Sequence, residues 1–153
     1  MLLVSLDIDG TMEFGEPPGP VTVDIVRMLL AAGIVVGSAS DRTRSDQEET
    51  WAEHDVVVAF VGGKHQLDAV RARFPEHRCV HVGDTHVDEH YAGLHGFEFV
   101  GVDDPDAFLR FLRSVPETHL FGCVSGADNL AAEHTQTPAR IDPTGRRISE
   151  THQ

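Results

Sequence analysis

Asp7 and Asp9 stand two residues apart at the end of an apolar run, Leu2 to Thr11 (LLVSLDIDGT), and Gly10 and Thr11 follow at once. A short apolar, β-branched run that stops at a glycine predicts a buried strand. Alternation along a strand sends both carboxylates to one side, and Gly10 lets the backbone leave the strand sharply. Two acids held so close repel each other, so such a pair needs a cation or a shared proton. Taken alone, the pair reads equally well as a strand end with a polar turn. The residues downstream decide.

Other apolar runs end in the same manner. Ser38 or Ser40 closes the second, Gly62-Gly63-Lys64 the third, and Gly83-Asp84 the fourth, with Asp88 one helical turn further on. In an open parallel sheet ligands sit outside the carboxyl ends of the strands, so these residues belong to one collection. A cluster of three or four carboxylates offers the hard oxygens that suit Mg²⁺, which is commonly held by one or two carboxylates together with substrate phosphate and waters. The metal and Lys64 would supply a positive centre. Lys64 is the one lysine among 12 basic residues, and a compact ammonium is not interchangeable with a guanidinium. A carboxylate can attack phosphorus, and a neighbouring carboxylic acid can protonate the leaving oxygen and later activate water.

The elements that must position these groups alternate along the chain. A Gly- and Pro-rich loop, Met12 to Pro20, precedes a helix that Pro20 is placed to open, with Val21, Ile25, Leu29 and Ala32 at helical spacing and Gly33 as its C-cap. Ile34 to Gly37 is a short strand. Ser45 and Glu48 form a capping-box pattern for a helix to about His54. Val56 to Val61 reads as a strand, His65 to Phe74 as a helix closed by Pro75, Cys79 to Val82 as a strand, Val87 to Leu94 as a helix, and Phe97 to Val102 as a strand. Asp104-Pro105 caps a last helix through about Ser114. Strands alternating with helices predict a three-layer α/β/α, Rossmann-like domain over residues 1–115 with a mainly parallel sheet. Residues 116–153 read as a partly irregular extension in which Leu120 to Val124 could add a strand and Asn129 to His134 a short helix, and which could serve self-association.

Composition narrows the function classes. A net charge of −13 over 153 residues argues against a nucleic-acid groove, which needs clustered Lys and Arg. No apolar run approaches the roughly 20 residues of a membrane span. Met1 leads directly into the first strand with no basic leader, and Cys79 and Cys123 have neither metal-type nor disulfide-framework spacing. The expected setting is cytoplasmic and reducing.

DIDGT, a serine after the second strand, a lone lysine and GDTHVD, in that order, resemble the four motifs of the haloacid dehalogenase superfamily over about residues 2 to 102. The resemblance implies that Asp7 is a nucleophile, Asp9 a general acid/base, Ser40 (favoured over Ser38) a phosphoryl-binding hydroxyl and Lys64 the residue that steadies their charge. It implies Mg²⁺ held by Asp7, Asp84, the backbone carbonyl of Asp9 and, directly or through water, Asp88. A second aspartate followed by Gly-Thr is similar to the phosphatase branches, so a Mg²⁺-dependent phosphomonoester hydrolase working through an aspartyl-phosphate is expected. Neither Met12 to Gly33 nor Asp41 to Gly63 has room for a cap domain, and a capless member takes a large substrate or closes its site with a neighbouring subunit. The competing expectation is a catalytically silent regulatory or assembly subunit that binds Mg²⁺ without turnover. Arg42 reads as a solvated arginine or a contact for a distal anionic group. His86-Val87-Asp88-Glu89-His90 fits the H-x-x-E-H zinc pattern, a match that ten histidines and many acids make easy by chance. The phosphate-loop pattern fails, because Val58 and His65 stand where glycine and Ser or Thr belong.

Overall fold

The computed structural model describes residues 1–115; the expected strand at Leu120 to Val124, helix at Asn129 to His134 and irregular extension lie outside the described residues. Five parallel strands form one sheet: β1 (Leu2–Leu6), β2 (Val35–Ala39), β3 (Val61–Gly62), β4 (Arg78–Gly83) and β5 (Glu98–Gly101), in the order β3-β2-β1-β4-β5. The helices between and after them are α1 (Val23–Ala31), α2 (Arg44–Glu53), α3 (Leu67–Arg73), α4 (His86–Leu94) and α5 (Pro105–Ser114). β1 sits at the centre, pairing Leu6 with Ser38 on one side and with Val82 on the other. The chain runs outward from β1 through β2 to β3, then crosses back to β4, so the strand order reverses between β1 and β4. That reversal opens a crevice at their carboxyl ends.

Burial on both faces explains the near-continuous apolar strands. Val4, Leu6, Val36, Val80 and Val82 pack with Val26 and Leu29 of α1, Trp51 of α2 and Phe108 and Phe111 of α5. Leu3, Ala39 and Cys79 join Leu67 of α3 and Ala92 of α4 in a second cluster. The alternation of Leu3 and Val4 between the two clusters is the strand period at work, and it yields helices on both sides of the sheet. No described helix is long and apolar enough to cross a membrane.

Local boundaries shift where a better cap competes. α1 starts after Thr22, whose hydroxyl accepts from the Ile25 N–H at 3.1 Å, while Val21 is drawn back into a bridge with Met12. α2 starts after Thr43, which accepts from Asp46, so the Ser45–Glu48 pattern is not its cap. The Val56 to Val61 run contributes only Val61 to the two-residue β3, which Gly62 completes. It lies on the sheet edge with a partner on one side, and Val57 faces solvent. The helix expected from His65 divides into a 3-10 turn, Lys64–Gln66, and then α3.

Candidate metal centre and active site

β1 delivers Asp7 into the crevice. Its N–H donates to the Val82 carbonyl at 2.9 Å, so β1 and β4 remain laced together up to the residue where the acids begin. Asp84 follows β4 directly, and Asp88 lies in the first turn of α4. One oxygen from each of Asp7, Asp84 and Asp88 lies within 4.8 Å of the others. The crossing is that tight because Gly10 (φ 76°) packs against the Asp84 carboxylate, where a Cβ would overlap it. At Gly83 a Cβ would likewise strike the side chain of Asp88.

Lys64 enters from the turn after β3. Its Nζ lies 3.6 Å from Asp7 Oδ2, 3.2 Å from Asp88 Oδ1 and 3.3 Å from Asp41 Oδ2, with the ammonium side chain only 4 % exposed. Burial works against a charged lysine here, and the surrounding Asp7, Asp88 and Asp41 carboxylates more than offset it, so its pKa lies above the usual value. The two deep acids part company. Burial and then the Asp88 charge push Asp7 up to about 8, with the neighbouring Asp84 adding a little, against the pull of Lys64. Burial also opposes ionisation of Asp88, but His81, Lys64 and Thr85 together hold it at about 2. Asp88 accepts from His81 Nε2 at 2.8 Å and from the Thr85 hydroxyl at 2.9 Å, and His81 Nδ1 meets Ser5 Oγ at 3.0 Å.

Asp9 lines the same cavity, about 240 Å³, together with Asp7, Ser40, Lys64 and Asp84. Its carboxylate lies outside the three-acid cluster and is turned to Arg42, which grips it through Nη2 at 2.7 Å and Nε at 3.1 and 3.2 Å. The Glu16 N–H donates to it as well, at 2.8 Å. Arg42 above all, then the Glu16 N–H, holds Asp9 below the usual carboxylate range despite some burial. Arg42 is therefore neither solvated nor free for a ligand through its whole head. The Asp9 carbonyl, by contrast, takes no backbone donor among the described residues.

The two serines separate cleanly. Ser40 lines the cavity and accepts from the Arg42 N–H at 3.2 Å. Ser38 is sealed beneath α2, where its hydroxyl donates to Gln47 Oε1 at 2.7 Å and accepts from Trp51 Nε1 at 2.9 Å. Gln47 itself, wholly buried, donates to the carbonyls of Arg42 and Gly62, each at 2.9 Å. It thereby ties the loop that carries Ser40 to the turn that carries Lys64. The one signal in the sequence is the i, i+4 spacing of Gln47 and Trp51; that these are the two buried residues of α2 is visible only in the structure. His81 and Asp41 were also passed over, and only the register of Ser5 beside His81 and the reach of Lys64 reveal them.

The donor set fits a hard cation. Three carboxylates converge, and Asp84 Oδ1 is buried without a hydrogen-bond partner among the described residues. The H-x-x-E-H residues on α4 form no such group; among the described residues the metal-type cluster is Asp7, Asp84 and Asp88. A larger hollow of about 520 Å³ runs along the β3 edge over Trp51, Val56 and Phe60, away from these acids and mainly apolar. Comparison with protein families, with curated proteins and with solved structures finds no match for this chain.

Proposed function

We propose that the chain is a capless phosphomonoester hydrolase of the haloacid dehalogenase type, dependent on Mg²⁺, with Asp7 as nucleophile. The observation that carries this reading is the meeting of Asp7, Lys64 and an unpartnered Asp84 oxygen in one buried pocket. Mg²⁺ would be held by Asp7 and Asp84, with Asp88 and the Asp9 carbonyl in support. When bound, it would supply the charge that keeps Asp7 ionised and draws in a phosphate dianion. An Asp7 oxygen then bonds to phosphorus as the ester P–O bond breaks; Asp9, ionised while Arg42 holds it, turns from Arg42, takes a proton from water and passes it to the leaving oxygen. Water then gives a proton to Asp9 and attacks phosphorus, which releases inorganic phosphate and restores Asp7. Lys64 and Ser40 hold the phosphoryl oxygens. Asp88, already filled by His81, Thr85 and Lys64, acts mainly by fixing Lys64.

The test is turnover of an aryl phosphate with Mg²⁺ by the wild type and by Asp7→Asn. Activity in the wild type that the variant loses by roughly a thousandfold or more is expected, as for removal of a covalent nucleophile. Equal rates, or inactivity of the wild type on every phosphate ester tried, would count against it. The clamp of Arg42 on Asp9 favours a second reading, a cation-binding subunit without turnover. That reading predicts calorimetric Mg²⁺ binding in a protein inert toward all esters.

A further inference from the structure

A second cavity, about 340 Å³, adjoins the acid-lined one and shares Ser40 and Asp41 with it. Arg42, Thr43, Arg44 and His65 form much of its wall, and the polar groups left uncommitted there are mostly donors. Arg42 spends Nε and Nη2 on Asp9, whereas its Nη1 stands 3.7 Å from Asp46 Oδ2, beyond hydrogen-bond range. Arg44 gives Nε to Glu48 at 3.2 Å, and neither of its Nη groups has a hydrogen-bond partner among the described residues. Thr43 Oγ1 accepts from the Asp46 N–H and keeps its own hydrogen to donate. The one carboxylate in the wall, Asp41, faces Lys64. Both guanidinium groups are ion-paired, Arg42 with Asp9 and Asp46 and Arg44 with Glu48, yet each keeps N–H donors unfilled on this wall beside the phosphoryl pocket. Guanidinium forks match carboxylate and phosphate oxygens.

We propose that this cavity receives the leaving group, and that the substrate is a phosphate monoester whose leaving group carries a second anionic group, either a carboxylate or another phosphate. The inference rests on the hydrolase reading above and names its substrate class. Arg44 meets the second anion, with Arg42 Nη1 beside it. The scissile phosphate lies over Asp7, and Ser40 and Asp41 mark the seam between the two halves of the ligand. The second anion takes no part in bond breaking; it fixes the leaving oxygen near Asp9.

The experiment measures kcat/KM with Mg²⁺ for propyl phosphate, 3-phosphonooxypropanoate and propane-1,3-diol bisphosphate, with the wild type, Arg44→Met and Arg44→Lys. The wild type is expected to favour at least one of the two substrates with a second anionic group over propyl phosphate by roughly tenfold or more, the size of one good charge-assisted contact. In Arg44→Met that ratio falls to within about twofold, and Arg44→Lys recovers part of it, because a point charge replaces a fork. Which of the two is favoured tells carboxylate from phosphate. Turnover of all three within about twofold by the wild type, or an unchanged ratio in Arg44→Met, overturns the inference and leaves the hydrolase reading standing. Inactivity toward all three, in a protein that also fails on aryl phosphate, overturns both. Arg44 is largely exposed, so its variants keep the fold.

Discussion

Replacing Asp7 by Asn removes one ionisable group from the buried cluster and leaves its volume almost unchanged. The side chain is nearly inaccessible, and its carboxyl sits at about 8 in the folded chain against a starting value of 3.8. A raised folded-state value means that the folded chain binds this proton more tightly than the unfolded chain does. The contribution of the group to stability is therefore complete below about pH 4 and is lost as the pH climbs toward 8. Each unit in that window costs about 1.4 kcal/mol, so between about pH 5 and about pH 7 the cation-free protein loses about 3 kcal/mol through Asp7 alone. Ordinary domains have only about 5–15 kcal/mol in total. Asp88, held at about 2, acts in the opposite sense: its contribution is present above about pH 4 and fades as the pH falls toward 2. It shares its electrostatics with Asp7, but from about pH 5 upward it is ionised in the folded and the unfolded chain alike and adds no slope to the difference. Urea unfolding with a chelator present, at unit steps from about pH 5 to about pH 8, measures that difference. The Asn variant gains on the wild type by about 3 kcal/mol across the first two steps, and Mg²⁺ brings the wild type back, because a cation favours the ionised carboxylate. Parallel curves for the two proteins would refute the account of Asp7 as a proton-holding acid starved of positive charge.

Gly10→Ala puts a Cβ into the Asp84 carboxylate at a positive φ; a stability loss of about 1–2 kcal/mol is expected from the backbone alone, with calorimetric Mg²⁺ affinity falling roughly tenfold or more as Asp84 is displaced. The two serines make a matched pair. Ser38→Ala strands Trp51 Nε1 and Gln47 Oε1 and should cost about 1–3 kcal/mol per group in denaturant unfolding, whereas Ser40→Ala costs about 1 kcal/mol or less and, on the proposed reading, lowers turnover of the aryl phosphate instead.

The alternating architecture was legible because each strand is buried on both faces, and so reads as an unbroken apolar run stopped by glycine. Asp7, Ser40, Lys64 and Asp84 were legible for a related reason: in a doubly wound sheet the strand ends must meet, so polar residues placed there meet too. What the chain hides is sideways partnership. Nothing in the letters says that Ser5 lies beside His81, since that depends on the register of β1 against β4. The grip of Arg42 on Asp9 spans 33 positions and arises from two loops folding toward each other. The third strand misled for the opposite reason. Val56 to Val61 has the residues of a core strand, but its edge position leaves Val57 in water, and composition carries no record of which strand is outermost.

Charge counting in the pocket orders the ligands. Asp7, Asp84 and Asp88 face one buried ammonium, so with all three ionised two negative charges remain uncompensated in low dielectric. Asp41 is 83 % exposed and screened by solvent, so it adds little. Holding a proton on Asp7 removes one of those charges and disables the nucleophile of the proposed reaction. A monovalent cation would also leave one. A divalent cation cancels both, frees Asp7 to ionise and gives the unpartnered Asp84 oxygen a ligand. A phosphate dianion entering before the cation would meet a net negative floor within a strongly acidic chain, and Lys64, shared among three carboxylates, could not offset it. On the proposed reading, then, the cation must bind before the ester, and the spare donors of Arg42 and Arg44 draw in the far end of a substrate whose near end the cation has already made welcome.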